Sequence, residues 1–107
     1  MSTNLEKDPD ASFIAVEKDV TTVRYRELET VEGAQGVRFS CPMPQCGHLV
    51  QVYFSNPVGA PVAPDDEPPR PRWHREGTTL GDLTLRPSIN IQGGCGWHGF
   101  VIKGVAR

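Results

Sequence analysis

Apolar and polar residues alternate along several short segments of this chain, and this two-residue period predicts β-strands. Segment 37–41 shows the pattern most clearly, because Val37, Phe39 and Cys41 are each separated by one polar residue. Other segments with strand character are 20–26, 48–54, 83–85, 89–91 and 100–103, and 13–16 is a short apolar patch. No segment of ten or more residues has the 3.6-residue period of a helix. The sequence therefore predicts a mainly β fold, a small antiparallel β domain.

Proline and glycine divide the chain into short elements. Eleven Gly and ten Pro in 107 residues favour turns and loops over long helices. Residues 1–12 are mostly polar and charged, so we expect a flexible N-terminal segment. Residues 13–107 then form one domain, since the chain is too short for two comfortable ones. Within this domain, 56–72 is rich in proline and predicts an extended, partly polyproline loop on the surface.

Charge and hydropathy limit the classes of function. The net charge is −2, which argues against nucleic-acid binding because that function usually needs a basic face. No apolar run approaches the length of a membrane span. The N-terminal residues MSTNLEKDPD lack the apolar region of a signal peptide. We therefore expect a cytoplasmic protein that associates with neither membranes nor nucleic acid.

Five side chains could bind a soft or borderline metal. They are Cys41, Cys46, His48, Cys95 and His98, which form a C-x4-C-x-H box and a C-x2-H box. An odd number of cysteines disfavours a disulfide framework, and thiolate with imidazole is a ligand set that zinc selects. Zinc in a closed tetrahedral site needs four ligands, and we predict Cys41, Cys46, Cys95 and His98, with His48 as the alternative ligand. The turn between segments 37–41 and 48–54 would resemble a zinc knuckle.

Other chemistry remains open for the same residues. The runs Cys46-Gly-His48 and Cys95-Gly-Trp-His98-Gly are similar to the two boxes of Rieske proteins, which hold a [2Fe–2S] cluster with two Cys and two His. A Cys95–His98 nucleophile and base pair, or a zinc hydrolase that uses His48, are further alternatives. Carboxylates that could act as general bases are Glu76, Asp82 and the cluster Asp65, Asp66 and Glu67, although isolated loop carboxylates are usually only solvated.

A second resemblance covers more of the chain, roughly 39–104. Cys41-Pro42 with Cys46-Gly47, then Trp73, then Thr84-Leu-Arg-Pro-Ser-Ile89, occur in that order. The run from Cys95 to Gly104, CGWHGFVIKG, completes the series. This combination resembles a family of small bacterial and bacteriophage proteins of unknown function, sometimes mislabelled as ammonia monooxygenase. The resemblance implies a zinc site at Cys41, Cys46, Cys95 and His98, and no established reaction.

The sequence thus favours a non-enzymatic, zinc-binding accessory or interaction protein. Phage or mobile-element origin fits the resemblance, with residence in the host cytoplasm or the virion. Because all four coordination positions would be filled by protein, the metal would be structural and would stabilise the fold. The proline-rich loop or Trp73 would face a protein partner. The alternatives are a Rieske-type electron-transfer protein and a capsid-associated virion component.

Overall fold

A computed structural model describes residues 2–43, 46–64, 71–91 and 96–107. Within these ranges the chain forms nine strands and no helix, which confirms the mainly β prediction. The strands are β1 (Thr3–Asn4), β2 (Ser12–Lys18), β3 (Val23–Leu28), β4 (Gly36–Ser40), β5 (Leu49–Tyr53), β6 (His74–Glu76), β7 (Thr84–Asn90), β8 (His98–Ile102) and β9 (Val105–Ala106). A search of the described residues for helices long and apolar enough to cross a membrane gives none.

The strands form two sheets. The five-stranded sheet has the order β1-β9-β8-β7-β6, and the four-stranded sheet has the order β3-β2-β4-β5. Neighbouring strands within each sheet pair antiparallel. Two isolated parallel bridges add to these ladders, and one of them joins Phe54, just after β5, to Trp73, just before β6.

One apolar core is shared by both sheets. Its buried side chains come from alternate positions of the strands, as a two-residue period requires when one sheet face is covered. The four-stranded sheet contributes Phe13, Val37, Phe39, Val50 and Val52, and the five-stranded sheet contributes Leu85, Ile89, Val101 and Ala106. The rings of Phe39 and Trp97 meet edge to face, with centroids 6.0 Å apart. This contact fixes the start of β8 against β4.

The observed strands follow the predicted segments closely in the centre of the molecule. Segments 37–41 and 48–54 become β4 and β5, which pair across the cysteine-containing turn. Segments 83–85 and 89–91 are parts of a single strand, β7, although Pro87 lies between them. The short strands β1, β6 and β9 had no signal in the sequence, because two or three residues are too few to show a period.

The N-terminal segment makes several specific contacts. Strand β1 pairs with β9, and Leu5 is completely buried in the core. The Asp8 carboxylate accepts hydrogen bonds from the backbone N–H and the hydroxyl of Ser40 at 2.7 and 3.0 Å. These contacts join the segment predicted as a flexible lead-in to both sheets.

The described part of the proline-rich loop packs on the four-stranded sheet. Ala63 is buried against Ile14 and Tyr53. Gln35 connects the loop to β2, because its side-chain amide donates to the Pro61 carbonyl and accepts from the Val16 N–H. The acidic cluster at 65–67 lies outside the described residues.

Candidate functional site

An irregularity in β7 contains a half-buried serine of the five-stranded sheet. Leu85 pairs with Val101 and Ile89 pairs with Gly99, so four steps along β7 correspond to two steps along β8. Strand β7 therefore carries two extra residues between these pairs. Such bulges disrupt the ladder locally and redirect side chains, and they are common beside active sites. Ser88 lies in this bulge.

The Ser88 hydroxyl reaches a histidine on the neighbouring strand. The Oγ of Ser88 and the Nε2 of His98 are 3.2 Å apart, a hydrogen-bond distance. When Nδ1 carries the imidazole proton, Ser88 donates this bond and Nε2 accepts it. Among the residues that the structure describes, no carboxylate pairs with His98. A serine whose hydroxyl is bonded to a neutral imidazole can be activated as a nucleophile.

Both members of the pair are held in place by the fold around them. Trp97 is buried in the core, so the next residue, His98, emerges at a fixed point of the outer face. On the other side, the indole Nε1–H of Trp73 donates to the Ser88 carbonyl at 3.3 Å. Trp73 is itself anchored, because its backbone exchanges hydrogen bonds with Tyr53 and Ser55 of the other sheet. Contacts from two sheets thus position the serine and the histidine.

Ser88 is one of the residues that line a groove of about 450 Å³. The groove is named the Phe100 groove here, and Ser88, Pro87, Arg86, Phe100 and Ile102 are among the residues that line it. Phe100 and Ile102 are 51% and 45% exposed, although they are large apolar residues. The groove therefore places an accessible apolar surface directly beside the nucleophile candidate.

The structure describes four of the five predicted metal ligands. Cys41 and Cys46 are half-buried in the β4–β5 turn, and His48 is exposed at the end of the same turn. Cys95 lies outside the described residues. His98 bonds to Ser88. The described part of the chain contains no cluster of three or more metal-ligating side chains, so the four-ligand zinc site stays a prediction.

Two of the carboxylates proposed as bases, Glu76 and Asp82, have structural partners. Glu76 is exposed and forms an ion pair with Arg86, with Oε1 and Nε 3.5 Å apart. Asp82 accepts hydrogen bonds from the backbone N–H groups of Thr78 and Thr79 and from the Thr79 hydroxyl. Hydrogen bonds from Thr79, chiefly its backbone N–H, hold the pKa of Asp82 below its ordinary value. A carboxylate stabilised in this way is a poor proton acceptor and serves as a turn cap.

The sequence interpretation missed Ser88 as a functional residue. Ser88 was part of the Pro-Ser-Ile segment that carried the family resemblance, but its chemistry depends on a partner ten residues further along the chain. A serine in a strand-like segment carries no local sign of activation. Only the strand pairing brings it to His98.

The comparisons with known proteins point to one family. A family model described as "Bacterial ubiquitination-like system serine protease (BubE)" matches residues 14–107. The matched region includes the serine, the histidine and every residue named for the Phe100 groove. No curated protein and no solved structure matches the chain.

Proposed function

The chain belongs to the BubE family of bacterial ubiquitination-like system serine proteases, and from this premise we propose that it is a serine protease with Ser88 as nucleophile and His98 as general base. The observation that carries the proposal is the 3.2 Å contact between the Ser88 Oγ and the His98 Nε2. The family description requires a reactive serine, and this serine meets an imidazole on the accessible face of the protein.

The arrangement supports acyl transfer in two steps. The Ser88 Oγ attacks the substrate carbonyl carbon while the His98 Nε2 takes the hydroxyl proton. The resulting tetrahedral intermediate collapses as the imidazolium returns this proton to the leaving amine, which gives an ester on Ser88. Water then attacks the ester with His98 again as base, so the acid product leaves and the Ser88 hydroxyl is restored.

Among the described residues, Ser88 and His98 would act as a catalytic dyad, without the third residue of a triad. The third member of a serine-protease triad orients the histidine and stabilises its charged form. Here the buried Trp97 and the β8 backbone provide the orientation. General-base catalysis by a positioned histidine typically contributes about 10²–10⁴-fold to the rate, and the proposal needs this contribution from His98.

The family description also suggests the class of substrate. A protease of a ubiquitination-like system acts on proteins, and we propose a peptide or isopeptide bond in a protein of such a system as its target. This assignment gives the predicted protein partner a specific role as substrate. It also differs from the non-enzymatic function that the cysteine pattern favoured.

A serine-directed fluorophosphonate tests the proposal without knowledge of the substrate. We expect the purified protein to react once per chain, with the mass increase mapped to the peptide that contains Ser88. Ser88→Ala should abolish the reaction, and His98→Ala should slow it by about 10²-fold or more because the base is lost. Ser55→Ala is the matched control, since Ser55 is exposed but its hydroxyl is not part of the pair.

Two outcomes would contradict the proposal. One is the absence of labelling under conditions in which a control serine hydrolase reacts completely. The other is labelling that persists at an equal rate in folded Ser88→Ala protein.

A further inference from the structure

The outer face of β8 carries a continuous row of accessible side chains. Positions of β8 alternate between exposed and buried, so His98, Phe100 and Ile102 face outward while Gly99 and Val101 face the core. Neighbouring side chains on one face of a strand are about 6.5–7 Å apart. Phe100 therefore lies one such step from the proposed base, and Ile102 lies two steps away.

This row borders the same groove as the nucleophile. The Phe100 groove is lined by Ser88 together with Phe100 and Ile102. Large apolar side chains with about half of their surface exposed, grouped together and rimmed by polar residues, commonly mark a binding surface. Their position next to a reactive serine indicates that the bound group belongs to the substrate.

The charges around the groove favour an apolar group. Arg86 is the charged residue in the lining, and its guanidinium pairs with the Glu76 carboxylate at 3.5 Å. This pair leaves little net charge for an acidic or basic side chain to recognise. Phe100, Ile102 and Pro87 add hydrocarbon surface to the lining.

From these observations we propose that the Phe100 groove binds a large apolar side chain of the substrate polypeptide, within two residues of the bond that Ser88 attacks. The inference rests on the proposed protease function and adds its substrate preference. An extended substrate beside β8 places side chains at the same 6.5–7 Å interval as the strand itself. A residue near the scissile bond therefore reaches Phe100 while its neighbour's carbonyl lies at Ser88.

Internally quenched peptides test this preference. Each peptide is built from Ala, Ser and Gly. One of the four positions closest to the scissile bond carries either Leu or Ser. At one position we expect Leu to raise kcat/KM about tenfold or more over Ser, the range that one apolar contact gives in enzyme pockets. Phe100→Ser and Ile102→Ser should each remove most of this ratio.

The matched control is Val23→Ser. Val23 is 47% exposed and lies on β3 of the other sheet, so its replacement should leave the Leu-to-Ser ratio unchanged. Fluorophosphonate labelling of each variant shows that the Ser88–His98 pair is intact. Binding of the Leu and Ser peptides to Ser88→Ala protein gives a second readout that requires no catalysis, and the Leu peptide should bind more tightly.

The outcomes separate this inference from the proposed function. If Ser88 is labelled but no position favours Leu, or if Phe100→Ser keeps the full ratio, then the groove does not select apolar residues although the protease function stands. The groove preference is equally excluded if no peptide is cleaved while Ser88 is labelled and the Leu peptide binds Ser88→Ala protein no more tightly than the Ser peptide. If folded Ser88→Ala protein cleaves the peptides at the normal rate, then the proposed function itself is wrong.

Discussion

Ser88 depends on two neighbours that act on different atoms of the same residue. His98 meets its hydroxyl at 3.2 Å, and Trp73 holds its carbonyl at 3.3 Å. The first contact supplies the proton acceptor, and the second restrains the bulge from which the hydroxyl projects. In the proposed mechanism Trp73 is therefore a positioning residue, whereas Ser88 and His98 are the reacting groups.

The role of Trp73 can be tested by removing its indole N–H donor. Trp73→Phe keeps an aromatic ring in the half-buried position but removes the Nε1–H donor to Ser88. A neutral hydrogen bond contributes about 0.5–1.5 kcal/mol, so we expect the Ser88 labelling rate to fall by up to about tenfold. For a cleavable peptide, kcat should fall more than KM rises. An unchanged labelling rate in folded Trp73→Phe protein would show that the indole does not position the nucleophile.

At the scale of elements, β7 and β8 differ in regularity, and both features matter for the site. The two extra residues in β7 create the bulge at Ser88, while β8 keeps strict alternation and presents His98 and Phe100 together. Gly99 lies between these two residues in the chain, and it faces the core. A Cβ at position 99 would lie against the Arg107 carbonyl and within 2.9 Å of the Trp97 ring.

Gly99→Ala should therefore disturb both the fold and the site. The added methyl group must displace the Arg107 backbone or the Trp97 ring, and overpacking of this kind typically costs about 1–3 kcal/mol. We expect a lower urea midpoint and slower fluorophosphonate labelling, because any shift of β8 moves His98 relative to Ser88. Phe100→Ala changes the next residue, on the exposed face, without overpacking. It should lower the urea midpoint and the labelling rate less than Gly99→Ala does. An equal midpoint for Gly99→Ala and the parent protein would refute this close packing.

At the scale of the whole molecule, the zinc prediction and the protease proposal compete for His98. A neutral imidazole that binds zinc through Nδ1 carries its proton on Nε2 and cannot accept the Ser88 proton. If zinc takes Nε2, the contact with Ser88 is lost. The proposed catalysis therefore requires that His98 binds no zinc, and the other described candidates, Cys41, Cys46 and His48, form no group that could hold a metal.

Metal analysis decides between these assignments. The zinc prediction requires about one zinc per chain, a lower melting temperature with chelator, and loss of zinc in Cys41→Ser and in His98→Ala. The protease proposal instead expects His98→Ala to lose reactivity without any change in metal content. Structural zinc contributes on the order of ten kcal/mol in small metal-folded peptides, so the chelator effect should be large. A metal-free protein with an unchanged melting curve would exclude zinc, and visible absorption would instead indicate the Rieske alternative.

The alternation of apolar and polar residues determined the class of fold. It also determined which side chains of the central strands share a face. Alternation at 37–41 put Val37 and Phe39 on the same face of a predicted strand, and both are buried in the structure. The same rule predicted a strand near 100–103 but gave no reason to connect it with Ser88. Composition likewise explained the shortage of helices, because proline and glycine interrupt any longer period.

Tertiary structure decided which residues meet. An alternating pattern fixes the face to which a side chain points, but strand pairing and register depend on contacts that are distant in sequence. The bulge in β7, the pairing of β1 with β9 and the short strand β6 arise from such contacts. The Ser88–His98 pair follows from them as well, since a two-residue shift in register determines whether the hydroxyl reaches the imidazole. The sequence alone therefore predicted a β domain with potentially reactive side chains, and the folded chain brought the serine and the histidine within hydrogen-bond distance.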